Sequence, residues 1–253
     1  MIKIENVVFP SPEQWKSIIM GVRNPMNSWE KSDSGIGCDG KKCKNCGFKQ
    51  NWCGNRPEYI IGENDLGLMK RLAKAGTDHR KFMRMITVYV DITAPLYWWK
   101  EFDTYRVGVT PNPTDIEMNS CSTMHKIHDK EFTLEDFSCE HLEGFIPAEL
   151  NDGDECFQNL WVEVLKKTIE ALNIARGYYN GGTNPEIKKK YWWQMIQLLL
   201  SSYNQKRTVM LNYEVLANMY KSRKDHKLDE WRDFCKWIET LPYSCLITGK
   251  ETE

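Results

Sequence analysis

Ile86, Val88, Val90 and Ile92 alternate with Thr87, Tyr89, Asp91 and Thr93, a period of two that predicts a strand with one apolar face. Ala94-Pro95 breaks the strand and opens a helix carrying Leu96, Tyr97, Trp98, Trp99, Phe102 and Tyr105, with Tyr105 on the face of Trp98 and Phe102. Upstream, Ser11-Pro12-Glu13-Gln14 has the form of a helix start: a hydroxyl cap, Pro at the first helical position and Gln closing the box. Trp15, Ile18 and Ile19 supply the apolar stripe of that helix, which is expected to fade near Asn24-Pro25. A second helix runs from Asn64 through Leu66, Met69, Leu72 and Ala73, with Gly76 as its C′ residue. The last hundred or so residues are helical in pattern. Phe157, Leu160, Trp161, Val164, Leu165, Ile169 and Leu172 keep helical spacing to near Gly177, and amphipathic stretches follow at about 186–200, 212–222 and 228–240. Residues 26–62 and 107–118 read as loops, and Asn204-Gln205-Lys206-Arg207-Thr208 as a solvated turn. The expected class is α+β, a small antiparallel sheet flanked by several helices.

Composition narrows the function classes. With 34 basic and 35 acidic side chains in 253 residues, the balance argues against bulk nucleic-acid coating, so nucleic acid is not an expected partner. The apolar runs are too short for a membrane span, and no secretion signal opens the sequence. The expectation is a cytoplasmic protein with a single domain over 1–253. Ten Trp and eleven Tyr imply either an aromatic-rich core or pockets for flat ligands.

Nine cysteines, an odd count, fit a reducing interior better than a disulfide framework. Four of them, Cys38, Cys43, Cys46 and Cys53, crowd into sixteen residues of a Cys-rich insert at about 36–56. Cys43-x-x-Cys46 followed by Gly47 has the form of half a zinc knuckle, and nearby lysines favour thiolate. A structural zinc held by the four is one reading; free loop thiols or a redox dithiol are the others. Cys121, His125 and His128 form a looser trio of metal-ligating types.

Order and landmarks then bring a family into view. Gly76-Thr77-Asp78-His79 precedes the strand, Ala94-Pro95-Leu96-Tyr97 opens the central helix, and Thr104-Tyr105-Arg106 lies about ten residues into it. Asn119-Ser120-Cys121-Ser122-Thr123-Met124-His125 follows, and Asn212-Tyr213-Glu214-Val215-Leu216 runs on to Arg223, twelve residues inclusive. Over about 60–135 and 185–235 this series resembles the flavin-dependent thymidylate synthases, the ThyX family. The resemblance implies a ThyX-like fold, FAD and methylenetetrahydrofolate as co-reactants, and methylation of a deoxyuridine nucleotide in a homotetramer.

The resemblance also assigns residues. Arg223 and Ser122 take the catalytic positions, Arg223 polarising the pyrimidine carbonyls and Ser122 bonding the nucleotide near its phosphate. Lys100, Glu101 and Asn119 join them in binding substrate, while His79, Tyr105, Arg106 and Asn212 are expected at the flavin. The pattern departs from the family in five places. Thr104 and Tyr105 stand in the family's Arg-His-Arg, Met124 and Ile196 stand at nucleotide-binding arginines, and Glu214 replaces an arginine near the flavin pyrophosphate. Two lost phosphate contacts are worth roughly 3–6 kcal/mol. Lys100, Lys126, Lys206 and Arg207 are the cations left to compensate. The alternative reading is a catalytically inactive protein of this fold that binds a nucleotide or a macromolecule.

Overall fold

Apolar periodicity and local capping account for most elements of the structure, a computed structural model that describes residues 1–37, 58–105, 116–142 and 160–250. In chain order they are β1 (Lys3–Val8), α1 (Pro12–Arg23), β2 (Gly35–Gly37), β3 (Glu58–Ile60), α2 (Glu63–Lys74), β4 (Thr87–Pro95) and α3 (Leu96–Phe102). Then follow β5 (Glu117–Ser120), α4 (Leu160–Gly181), α5 (Pro185–Leu198), β6 (Asn204–Asn212), α6 (Tyr213–Arg223), α7 (Asp229–Glu239) and α8 (Cys245–Thr248). Four strands form a sheet in the order β1-β4-β6-β5, and β2 pairs antiparallel with β3, Ile36 facing Tyr59. The α+β expectation is met. Among the described residues no helix is long and apolar enough to cross a membrane.

The chain divides into two compact units. The first comprises Met1–Lys3, Ile92–Asp103 and Asn119–Arg207. Its core joins Leu165, Leu172 and Ala175 of α4 to Met195 of α5 and to Ile127, Phe132 and Phe137. Asn173 pins the segment before α4, accepting from the Phe132 N–H at 2.9 Å and donating to the Phe132 carbonyl at 2.8 Å. On α3, Trp98, Trp99 and Phe102 are fully buried against one another.

The second unit comprises Ile4–Asp91, Thr104–Met118 and Thr208–Glu253. The capping box foreseen at Ser11 is present, the Ser11 hydroxyl accepting from the Gln14 N–H while the Gln14 amide accepts from the Ser11 N–H. Helix α2 has glycine at its N-cap, and the missing cap comes from a distance. The Asp33 carboxylate accepts from the N–H groups of Asn64 and Asp65, at 2.9 and 3.1 Å. Gly62 makes that approach possible, because a Cβ there would sit 2.1 Å from the Asp33 carboxyl carbon. Gly76 takes φ +99°, in keeping with its expected place after α2.

One reading of the sequence needs correction. Asn204–Thr208 is not a solvated turn but the first half of β6, whose inward positions are Gln205, Val209 and Leu211. A buried amide at the first of these hid the alternation; Gln205 is satisfied by the Cys121 carbonyl and by Arg207. After Phe102 the helix tightens into a 3₁₀ turn over Asp103–Tyr105, in which residues three apart eclipse, so Tyr105 keeps the direction of Phe102.

Among the described residues the most enclosed charge pair links α1 to α2. Arg23 Nε lies 2.6 Å from Asp65 Oδ1, with the two side chains 6% and 0% exposed. Asp65 also accepts from the hydroxyls of Ser32 and Ser34 and from the N–H groups of Asp33 and Ser34. Burial alone would raise the Asp65 carboxyl, but bonds from Ser34 and Ser32, then the bond and charge of Arg23, hold it below the usual range. A depressed folded value makes this contribution complete above the unfolded value of 3.8 and lost as pH falls through the folded one. Asp65→Ala is expected to cost about 3–5 kcal/mol at neutral pH by leaving Arg23 buried and unpaired. Urea unfolding measures it, and the gap between parent and variant should close on acidification.

Candidate functional site

Helix α6 carries the polar residues of greatest interest. Asn212 is its N-cap, with Oδ1 accepting from the Val215 N–H at 3.0 Å, and Asn212 is buried. Two residues on, Glu214 is fully buried, and its Oε1 accepts from Arg80 Nε at 3.0 Å. The same guanidinium donates through Nη2 to Asn218 Oδ1 at 3.1 Å. One arginine thus reads positions i and i+4 of a single helical face. Among the described residues Glu214 Oε2 has no hydrogen-bond partner.

At the other end of α6, Arg223 Nε donates to the Tyr105 hydroxyl at 2.9 Å. Its guanidinium carbon lies 4.9 Å from the centroid of Trp231 and 5.5 Å from that of Tyr105. The two rings meet edge to face at 5.9 Å. Hydrogen bond and ring contacts together fix the plane of the guanidinium. Such a plane suits a flat, polarisable heterocycle bearing carbonyl oxygens.

No protein-family model matches the chain, and no curated protein matches it. Solved structures do. The flavin-dependent thymidylate synthase ThyX of Helicobacter pylori, complexed with FAD and dUMP, superposes with a TM-score of 0.54. The match covers 98% of this chain and 96% of that one at 16% identity. A second structure of the H. pylori enzyme with FAD and dUMP gives the same TM-score at 15% identity over the same coverage. The chain has the ThyX fold. A UMP/dUMP methylase, PolB of Streptomyces cacaoi bound with 5-Br UMP, aligns more weakly, with a TM-score of 0.48 at 11% identity over 95% of this chain and 88% of that one.

Within this ThyX fold the expected site residues fall in both units. His79, Tyr105, Asn212 and Arg223 belong to the second, where Tyr105 and Arg223 are in contact. His79 is exposed in the turn after α2, its N–H donating to the Gly76 carbonyl at 3.1 Å. Lys100, Glu101, Asn119 and Ser122 belong to the first. Lys100 and Asn119 are exposed, and Glu101 is half-buried. The Ser122 hydroxyl accepts from three successive N–H groups, those of Met124, His125 and Lys126, at 3.3, 2.9 and 3.2 Å. Of the compensating cations, Arg207 donates to Asp103 at 2.8 Å and stacks 4.2 Å over Trp99, while Lys126 faces Asp129 at 3.7 Å.

Arg106 and the four cysteines Cys38, Cys43, Cys46 and Cys53 lie outside the described residues. Among the described residues no group of three or more His, Cys, Asp or Glu is placed to hold a metal, so Cys121, His125 and His128 do not form a centre. Two residues of the α6 clusters escaped the sequence reading. Arg80 sits next to His79 but pairs 134 positions away, and Trp231 is one Trp among ten.

The Arg80–Glu214 pair can be tested by its sign pattern. Arg80→Ala leaves a buried carboxylate without its donor and should cost about 2–3 kcal/mol, less than a fully enclosed pair because water reaches the arginine side. Adding Glu214→Gln removes the stranded charge. The double variant should therefore unfold in urea at a higher midpoint than Arg80→Ala alone.

Proposed function

We propose that this chain is a divergent flavin-dependent thymidylate synthase-like protein that binds a pyrimidine nucleotide through Arg223, with methylation of a deoxyuridine nucleotide as its reaction. The single observation that supports this most is the oriented guanidinium of Arg223 at the end of α6, in a chain of ThyX fold. Paired N–H donors on a rigid plane match pyrimidine carbonyl oxygens, and a cation there draws electron density toward them. Tyr105 and Trp231 act through Arg223 by holding that plane. Asn212 acts by capping, which fixes the start of the helix whose last residue is Arg223.

FAD, when bound, supplies the hydride chemistry, and methylenetetrahydrofolate the carbon. His79 and Tyr105 present rings suited to the flat end of a flavin. The diphosphate end fits poorly: Glu214 stands where the family pattern has an arginine, and the cation beside it, Arg80, is already bonded to it. A diphosphate beside Glu214 Oε2 would be repelled. That mismatch favours a second reading, in which the nucleotide is bound without methyl transfer.

One set of measurements separates the two readings. Calorimetric titration of the full chain with dUMP is expected to show saturable binding, and Arg223→Lys should weaken it at least about tenfold by losing the planar fork. A visible flavin absorbance band after reconstitution, with conversion of dUMP to dTMP in the presence of methylenetetrahydrofolate and a reductant, marks the synthase. Binding of dUMP by a protein that takes up no flavin marks the second reading. Absence of any nucleotide binding sinks both.

A further inference from the structure

We infer that one face of the α4–α5 hairpin is a docking surface for a second copy of this chain, the two hairpins packing as a four-helix bundle. Each helix already buries a stripe in the core of the first unit, Leu165, Leu172 and Ala175 on α4 and Met195 on α5. Beside that stripe each carries another. On α4 it runs through Val164, Ala171, Ile174 and Tyr178, and on α5 through Ile187, Tyr191 and Leu198. Intervals of three, four and seven keep each set on one side of its helix. Tyr178 and Tyr191 stack across the hairpin, centroids 4.6 Å apart and planes 13° from parallel, which joins the two sets into one surface. Nothing in the described residues covers it: Val164, Ile174, Tyr178, Ile187 and Leu198 are each between 41% and 56% exposed.

Area and charge select the occupant. At these exposures the face offers about 500 Å² of apolar surface per copy, toward the upper end of the roughly 300–600 Å² of the largest patch on a typical monomer. Two such faces, with the stems of Lys167 and Lys190 laid over their edges, reach the low end of the roughly 1,200–2,000 Å² of a stable interface. The charged groups along α4 are paired among themselves, Lys166 with Glu163 at 2.9 Å and Lys167 with Glu170 at 2.8 Å. The long side of the face is therefore close to neutral and gives a strongly charged partner, such as a nucleic acid or an anionic membrane, little to hold. A copy related by a two-fold axis brings the same neutral, apolar surface against itself.

Gly177 gives independent support. It lies inside α4 three residues after Ile174 and is exposed, and among the described residues a Cβ there would meet no atom within 4 Å. Glycine inside a helix is destabilising relative to alanine, and the close approach of another backbone is a standard reason to keep one. No packing among the described residues calls for it; a second helix laid along α4 does. Every residue of this face belongs to the first unit, so the inference does not rest on the function proposed for Arg223.

Light scattering of the full chain after gel filtration, over about a hundredfold range of concentration, tests it. The parent is expected to run as a particle of at least two chains. Ile174→Glu/Tyr178→Glu puts charge on two exposed positions of the face and should lower that mass, or raise the concentration at which the particle dissociates at least about tenfold. Lys166→Ala/Lys189→Ala, on other sides of the same helices, should leave the mass as it is. Circular dichroism checks that each variant is folded, and Ile187→Ser/Leu198→Ser makes the same demand by a milder change should the glutamate pair unfold. A parent that is a single chain at every concentration overturns the proposal. So do folded face variants that keep the parent's mass. A single-chain parent whose α4 is protected from hydrogen exchange around Tyr178 would give the face to another segment of the same chain, and that too ends it.

Discussion

Glu214 is a carboxylate buried in the first turn of α6, and the helix can keep it there only because Arg80 donates to it. Moving a lone ionised carboxylate out of water costs several kcal/mol even after relaxation. The cost is offset here by one guanidinium that also bonds Asn218, so the turn after α2 and a whole face of α6 are tied in one arrangement. With the N-terminal end set by this contact and by the Asn212 cap, the position of the last residue, Arg223, follows from helix geometry. Eleven residues at about 1.5 Å each leave little freedom over that length. The orientation of Arg223 is therefore a property of the helix as much as of Tyr105 and Trp231.

The parts of this molecule that could be read from sequence are those whose cause is local. The alternation of β4 is complete, with Val88, Val90, Ile92 and Ala94 buried and Tyr89 exposed. The Ser11 box needs only four consecutive residues. Strand β6 was hidden because Gln205 takes a core position and is satisfied by a carbonyl 84 residues away. The site shows the same division. Asn212 and Arg223 were legible as landmarks of one helix, whereas Arg80 and Trp231 gain meaning only from partners far along the chain. Glu214 was read from sequence as a source of repulsion, and the structure supplies the cation that lets it stay. Ser122, expected at a phosphate, has its hydroxyl engaged by three backbone N–H groups of the turn it begins.

A fold shared with ThyX at 16% identity shows how loosely chemistry is coupled to architecture. Buried apolar faces and helix caps tolerate many residues and keep the same layers. A phosphate site does not, because each lost arginine removes a charge that the surrounding backbone cannot replace.

The stretch around Asp33 has a separate consequence. Asp33 caps α2, Ser32 and Ser34 bond Asp65, and Gly35–Gly37 pairs with Glu58–Ile60. Both roots of whatever joins Gly37 to Glu58 are thereby welded to the same helix start. The hairpin of β2 and β3 and the start of α2 therefore share their anchors, so a substitution at Asp33 or Ser34 is felt by both at once.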